Sequence, residues 1–171
     1  MLFSVIHEMG HIVVGLILKL RPYKIEIMPV GLNVSFYSEI NNKYKEILIL
    51  LAGPITNFIL VIISQHIDLK YMTTQEAVYS NLLILLFNII PIYPLDGGRI
   101  IKGILDINVG IIKSEKIINR ISKITIIILT IISSITVYYY KNFAIFLTCI
   151  FLWNLVLREK SDKTLAILRG K

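Results

Sequence analysis

The sequence predicts an all-α polytopic membrane protein with about five transmembrane helices and a small β-hairpin between the first two. Three observations predict it. Of 171 residues, 56% are hydrophobic and only 17% charged, whereas a water-soluble domain carries about 25% charge. Five apolar stretches are each long enough, alone or nearly so, to cross a hydrocarbon core that takes about 20 helical residues. The 18 Lys and Arg fall almost entirely between these stretches, so the formal charge of +7 reports orientation in a lipid bilayer and excludes a nucleic-acid partner.

The stretches, in order, are segment A at residues 2–20, B at 47–64, C at 77–95, D at 124–140 and E at 143–157. Segment A has no basic start and no small-residue cleavage site, so it is expected to be retained rather than removed as a signal peptide. The connection from A to B is too polar to span. It carries two β-prone runs, 23–28 and 33–37, around Pro29-Val30-Gly31, which predict the hairpin. Such backbone is tolerated at membrane depth only against protein or a watery cavity, so the hairpin is expected to help enclose a site and to offer a strand edge to substrate. All basic residues except Lys70 and Lys141 lie in three groups, within 19–45, 99–123 and 158–171. With five spans these groups share one face, which predicts a multi-pass cell-membrane protein whose C-terminus is cytoplasmic. The expected organisation is one membrane-embedded domain over residues 1–171, ending in a short basic cytoplasmic tail, 158–171. Cys149 is the single cysteine and lies in an apolar run, so no intramolecular disulfide forms.

Segment A contains His7-Glu8-Met9-Gly10-His11. Residues four apart on a helix lie one turn apart on the same face, so the two imidazoles can bind one ion, with Glu8 beside them. Burying two His and a Glu in an apolar span is costly, and such residues normally face a cavity, pair with one another or bind an ion. Two imidazoles are an incomplete set, because catalytic zinc takes three protein ligands and leaves a position open. Asp96 ends segment C within Pro91-Ile92-Tyr93-Pro94-Leu95-Asp96-Gly97-Gly98-Arg99, where the prolines should break the helix and the glycines permit irregular or close-packed backbone. Its bland alternative is a helix-ending turn paired with Arg99. His66 sits in a short polar connection and reads as a solvated loop residue. Asn57 follows a Gly53-Pro54 break in B and is expected to form an interhelical hydrogen bond.

These motifs resemble the site-2 intramembrane metalloproteases. The resemblance rests on HEMGH in A, Ala52-Gly53-Pro54 with Asn57 in B, and the run from Asn88 to Arg99 in C, in that order on successive spans. It covers about residues 1–157. It implies one zinc ion per chain held by His7, His11 and Asp96, with Glu8 as the catalytic residue that activates water and Asn88 positioning the substrate. It also implies a membrane-associated protein substrate, with a sporulation sigma-factor precursor as a candidate, and inhibitory membrane proteins as partners.

Two features depart from the family pattern. Members of this type carry a membrane helix before the H-E-x-x-H helix, yet six residues precede His7, which predicts that Met1 is an internal start. Near relatives also carry a C-terminal cystathionine-β-synthase-type domain, so nucleotide sensing by such a domain is not expected from these residues. The rival reading is a non-proteolytic membrane protein that binds or transports divalent metal through the same side chains. Segments D and E, which offer mainly Ser, Thr and Tyr, supply no polar relay for transport.

Overall fold

A computed structural model of the chain describes residues 2–20, 22–28, 31–36, 43–66, 73–141 and 143–169. Helix α1 is Leu2–Ile17, and α2 is Lys43–Ser64. Between them Pro22–Met28 (β1) and Gly31–Phe36 (β2) pair antiparallel, with Ile25 opposite Val34 and a register shift between Pro22 and Lys24. β2 lies beside α1. Helix α3 (Thr74–Ile89) opens on a capping box in which the Thr73 hydroxyl accepts from the Glu76 N–H and Glu76 accepts from the Thr73 N–H. Helices α4 (Asp96–Val109), α5 (Ile111–Tyr140) and α6 (Ala144–Arg169) complete the order.

The expected architecture of five helices is corrected on this point. The described residues form six helices and a two-stranded sheet, and only α2 and residues 111–139 of α5 are long and apolar enough to cross a membrane. Residues 2–17 and 145–157 form shorter apolar helices. The extra element is α4, which the polar content of residues 96–109 concealed within a connection. Segment C is also shorter than expected, because α3 stops at Ile89 and residues 90–95 are irregular. Pro54 does not break α2. Proline has no N–H to give the carbonyl four residues back, that of Leu50, a loss that membrane-type helices tolerate; Thr56 Oγ1 separately donates to the Ala52 carbonyl at 2.8 Å. The predicted turn residues Pro29 and Val30, together with Tyr37 and Lys70, lie outside the described residues. Backbone at 158–169, expected as a tail, continues α6.

Helix α2 is central and packs against α1, α3 and α4. Small residues bring α1 close: a Cβ on Gly10 would collide with the Thr56 side chain, and the Ala52 carbonyl sits at its edge. A second centre pins the 90–95 loop. Ile92 and Leu95 from the loop, Ile126 from α5 and Leu152 from α6 form a buried apolar cluster, while Ser122 Oγ accepts from the Tyr93 N–H at 3.0 Å. Trp153 Nε1 donates to Thr130 Oγ1 at 3.2 Å, tying α6 to α5. Cys149 is buried.

Candidate metal centre

The pentapeptide from His7 to His11 lies within one unbroken helix, residues 2–17. Its buried face is the i, i+4 line Phe3, His7, His11, Gly15. Asp96 reaches the same point from the opposite direction, at the first turn of α4, where the positive end of the helix dipole favours a carboxylate. The glycines after Asp96 are needed for close approach. A Cβ on Gly97 would collide with the Ile89 and Ile90 carbonyls, and one on Gly98 with the backbone of Ile92 and Tyr93. The loop therefore folds directly over the start of α4, and that sets where the carboxylate points.

Three ligand atoms converge. His7 Nε2 lies 3.0 Å from Asp96 Oδ2, His11 Nε2 lies 3.2 Å from the same oxygen, and the two Nε2 atoms are 3.3 Å apart. All three residues are buried. A tetrahedral ion with bonds of about 2.0–2.1 Å places its ligand atoms about 3.3 Å apart, so this triangle has the dimensions of one tetrahedral face. Gly53 of α2 closes one side, since a Cβ there would collide with His11 Nε2 and Cε1 and with His7 Nε2.

Proton bookkeeping supports a cation at this point. His11 Nδ1 is 2.7 Å from the Ile49 carbonyl, which only accepts, so Nδ1 carries the hydrogen. His7 Nδ1 is 2.5 Å from Asn57 Oδ1. In the neutral imidazole this leaves both Nε2 lone pairs and a carboxylate oxygen facing one another with no hydrogen among them, an arrangement that a divalent ion satisfies. His7, His11 and Asp96 thus form a cluster able to hold such an ion.

Glu8 is half-buried on α1, next to His7 in the chain. Asp96 makes its short contacts to the imidazoles, in place of the simple turn paired with Arg99. Asn88 is half-buried, and its Nδ2 donates to the Ile84 carbonyl at 3.1 Å, one turn back on α3. His66 is exposed and bonds to the Ile62 carbonyl. Asn57 makes the interhelical hydrogen bond expected of it, accepting from His7 Nδ1 on α1, while Asn81 on α3, which accepts from Asn57, escaped the sequence reading. The signal for Asn81 was present as an amide in the apolar run of C, but nothing local tells it apart from Asn88.

Peptidase family M50 matches residues 64–132. A zinc metalloprotease of Methanocaldococcus jannaschii is 37% identical over 126 residues, covering 70% of this chain and 37% of that protein. Stage IV sporulation protein FB of Bacillus subtilis is 28% identical over 106 residues, covering 59% of this chain and 37% of that protein. The solved structure of a site-2 protease from Methanocaldococcus jannaschii superposes with a TM-score of 0.69 at 30% identity, covering 91% of this chain and 73% of that one. The chain belongs to the site-2 protease family, peptidase family M50. The archaeal relative is named as a zinc metalloprotease, and the donor set of His7, His11 and Asp96 in this chain has chemistry that suits zinc. It spans little over a third of the length of the two curated site-2 protease relatives described.

Proposed function

We propose that the chain is a membrane-embedded zinc metalloprotease that hydrolyses a peptide bond in a membrane-associated protein. The observation that carries this reading is the 3.0, 3.2 and 3.3 Å triangle of His7, His11 and Asp96 at the buried meeting point of α1, α2 and α4. In this proposal those three residues are the zinc ligands. Zinc, when bound, supplies a Lewis acid that polarises the scissile carbonyl and makes water a better nucleophile near neutral pH.

The remaining steps belong to the protein. Glu8 adjoins His7 on the helix and takes the proton of the attacking water, then returns it to the departing amine. Asn88, with Nδ2 committed to Ile84, keeps Oδ1 as an acceptor for a substrate N–H and so positions the chain to be cut. Burial excludes bulk water and strengthens each of these electrostatic contacts.

The grouping of basic residues supports a multi-pass arrangement with α4 and the C-terminus on the cytoplasmic side, within a single domain. A sporulation sigma-factor precursor is the narrower substrate reading, supported by the name of the 28%-identical Bacillus relative. The test is to map protein N-termini in membranes of cells expressing wild type or Glu8→Gln, with a tagged sigma-factor precursor in one arm. New termini should depend on Glu8. Identical termini from both proteins overturn the reading, and termini elsewhere than in the precursor leave the protease and remove that substrate.

A further inference from the structure

We infer that Asn57 and Asn81 are positioning residues that set the tautomer of His7 from a backbone carbonyl on α3. This rests on the zinc-site reading above. The chain of bonds starts at the Ala77 carbonyl, which has no hydrogen to give. Asn81 Nδ2 must therefore donate to it, at 2.9 Å. That fixes the amide orientation and turns Asn81 Oδ1 towards α2, where it can only accept. Asn57 must then present Nδ2, which donates at 3.0 Å. Its own Oδ1 is thereby turned to α1, where it accepts from His7 Nδ1 at 2.5 Å. With Nδ1 holding the hydrogen, Nε2 is left as a lone pair aimed at Asp96 and His11.

Every link is forced by the one before it, and every link is buried. Asn57 and Asn81 are each 0% exposed and His7 is 2% exposed. Burying two amides in a helix bundle carries a desolvation cost that packing alone would avoid with Leu at both positions. Their directional use explains their presence. The relay also couples three helices to one ligand atom, so a shift of α3 against α2 is felt at the metal centre.

The test measures zinc dissociation constants of detergent-purified protein by chelator competition, alongside thermal unfolding of the zinc-free form. Asn57→Leu fills the same space, loses both bonds, and should weaken zinc 10- to 100-fold, the usual effect of removing an outer hydrogen-bond partner of a ligand. Asn57→Asp still accepts from Nδ1 but turns an oxygen towards the accepting Oδ1 of Asn81, so it should recover part of the affinity lost in Asn57→Leu and stay below wild type, although a role in packing alone would make a buried carboxylate the worse substitution. Asn81→Leu frees the Asn57 amide to flip and should weaken zinc about fivefold, the worth of one buried hydrogen bond. Ser64→Ala, buried on α2 but off the relay, should leave affinity unchanged. Wild-type affinity in both Leu variants overturns the relay, as does failure of Asn57→Asp to bind more tightly than Asn57→Leu. If Asn57→Leu does not insert, Asn81→Leu decides alone: weaker zinc supports the relay and unchanged zinc ends it. A wild-type protein that takes up no zinc ends the underlying zinc reading instead.

Discussion

The two imidazoles of α1 are one helical turn apart and point at the same place, yet they are held by different kinds of group. His11 is held by the Ile49 main-chain carbonyl, which no substitution removes. His7 is held by the side chains of Asn57 and, behind it, Asn81. The first arrangement depends on how closely α1 and α2 approach. The second depends on what α2 and α3 carry. A single metal centre therefore combines a ligand protected from mutation with one that is open to tuning.

The largest effect is expected outside both arrangements. Glu8→Gln should lower cleavage by about 10²- to 10⁴-fold, the usual contribution of a positioned acid–base group, while zinc content and the affinities of the two imidazoles stay at wild type. Loss of zinc in this variant would merge Glu8 with the ligand set. Next, Gly53→Ala should damage both imidazoles at once, because its Cβ would collide with His11 and His7. Zinc retained after dialysis should fall by more than the about 10- to 100-fold cost of one outer partner. Retention at wild-type level would show that α1 and α2 can separate without harm.

A smaller effect should come from the far end of α4, whose first turn carries Asp96. Asp106 accepts from Ser114 Oγ and is 3.0 Å from Lys102 Nζ and 3.4 Å from Lys43 Nζ, linking α4 to α5 and α2. Burial pushes its carboxyl pKa up, but the Ser114 bond and the two ammonium groups outweigh that and leave it below the ordinary value. A depressed carboxyl stabilises the fold fully above the unfolded pKa of about 4 and loses that contribution as pH falls through the lower folded value. Asp106→Asn should cost about 1–3 kcal/mol at neutral pH and flatten acid unfolding below about pH 4, read from thermal melts across pH. The smallest effect tests the comparison from the His11 side: Ile49→Val should cost about 0.5–1.5 kcal/mol in stability with zinc affinity unchanged, since the carbonyl remains.

Much of the centre was legible because its spacing is local. H-E-x-x-H specifies one helical face regardless of what surrounds it, and the proline- and glycine-rich run marked Asp96 as carried on unusual backbone. What the sequence concealed depends on contacts between distant segments. Residues 96–109 contain Asp, Arg and Lys, so a search for apolar spans passes over α4, although its amphipathic pattern forms a helix. Pro54 reads as a break, yet α2 runs through it. Asn81 and Asn88 lie on the same apolar segment, and only the packing of α3 on α2 turns Asn81 towards Asn57 while Asn88 bonds to its own helix.

The central claim is that three buried side chains from α1 and α4 grip one divalent ion. Zinc per chain in detergent-purified protein, measured by elemental analysis for wild type and Asp96→Ala side by side, tests it most directly. One zinc per wild-type chain and a marked loss in Asp96→Ala is the predicted result. Absence of metal from correctly inserted wild-type protein, or equal zinc in both, would contradict it.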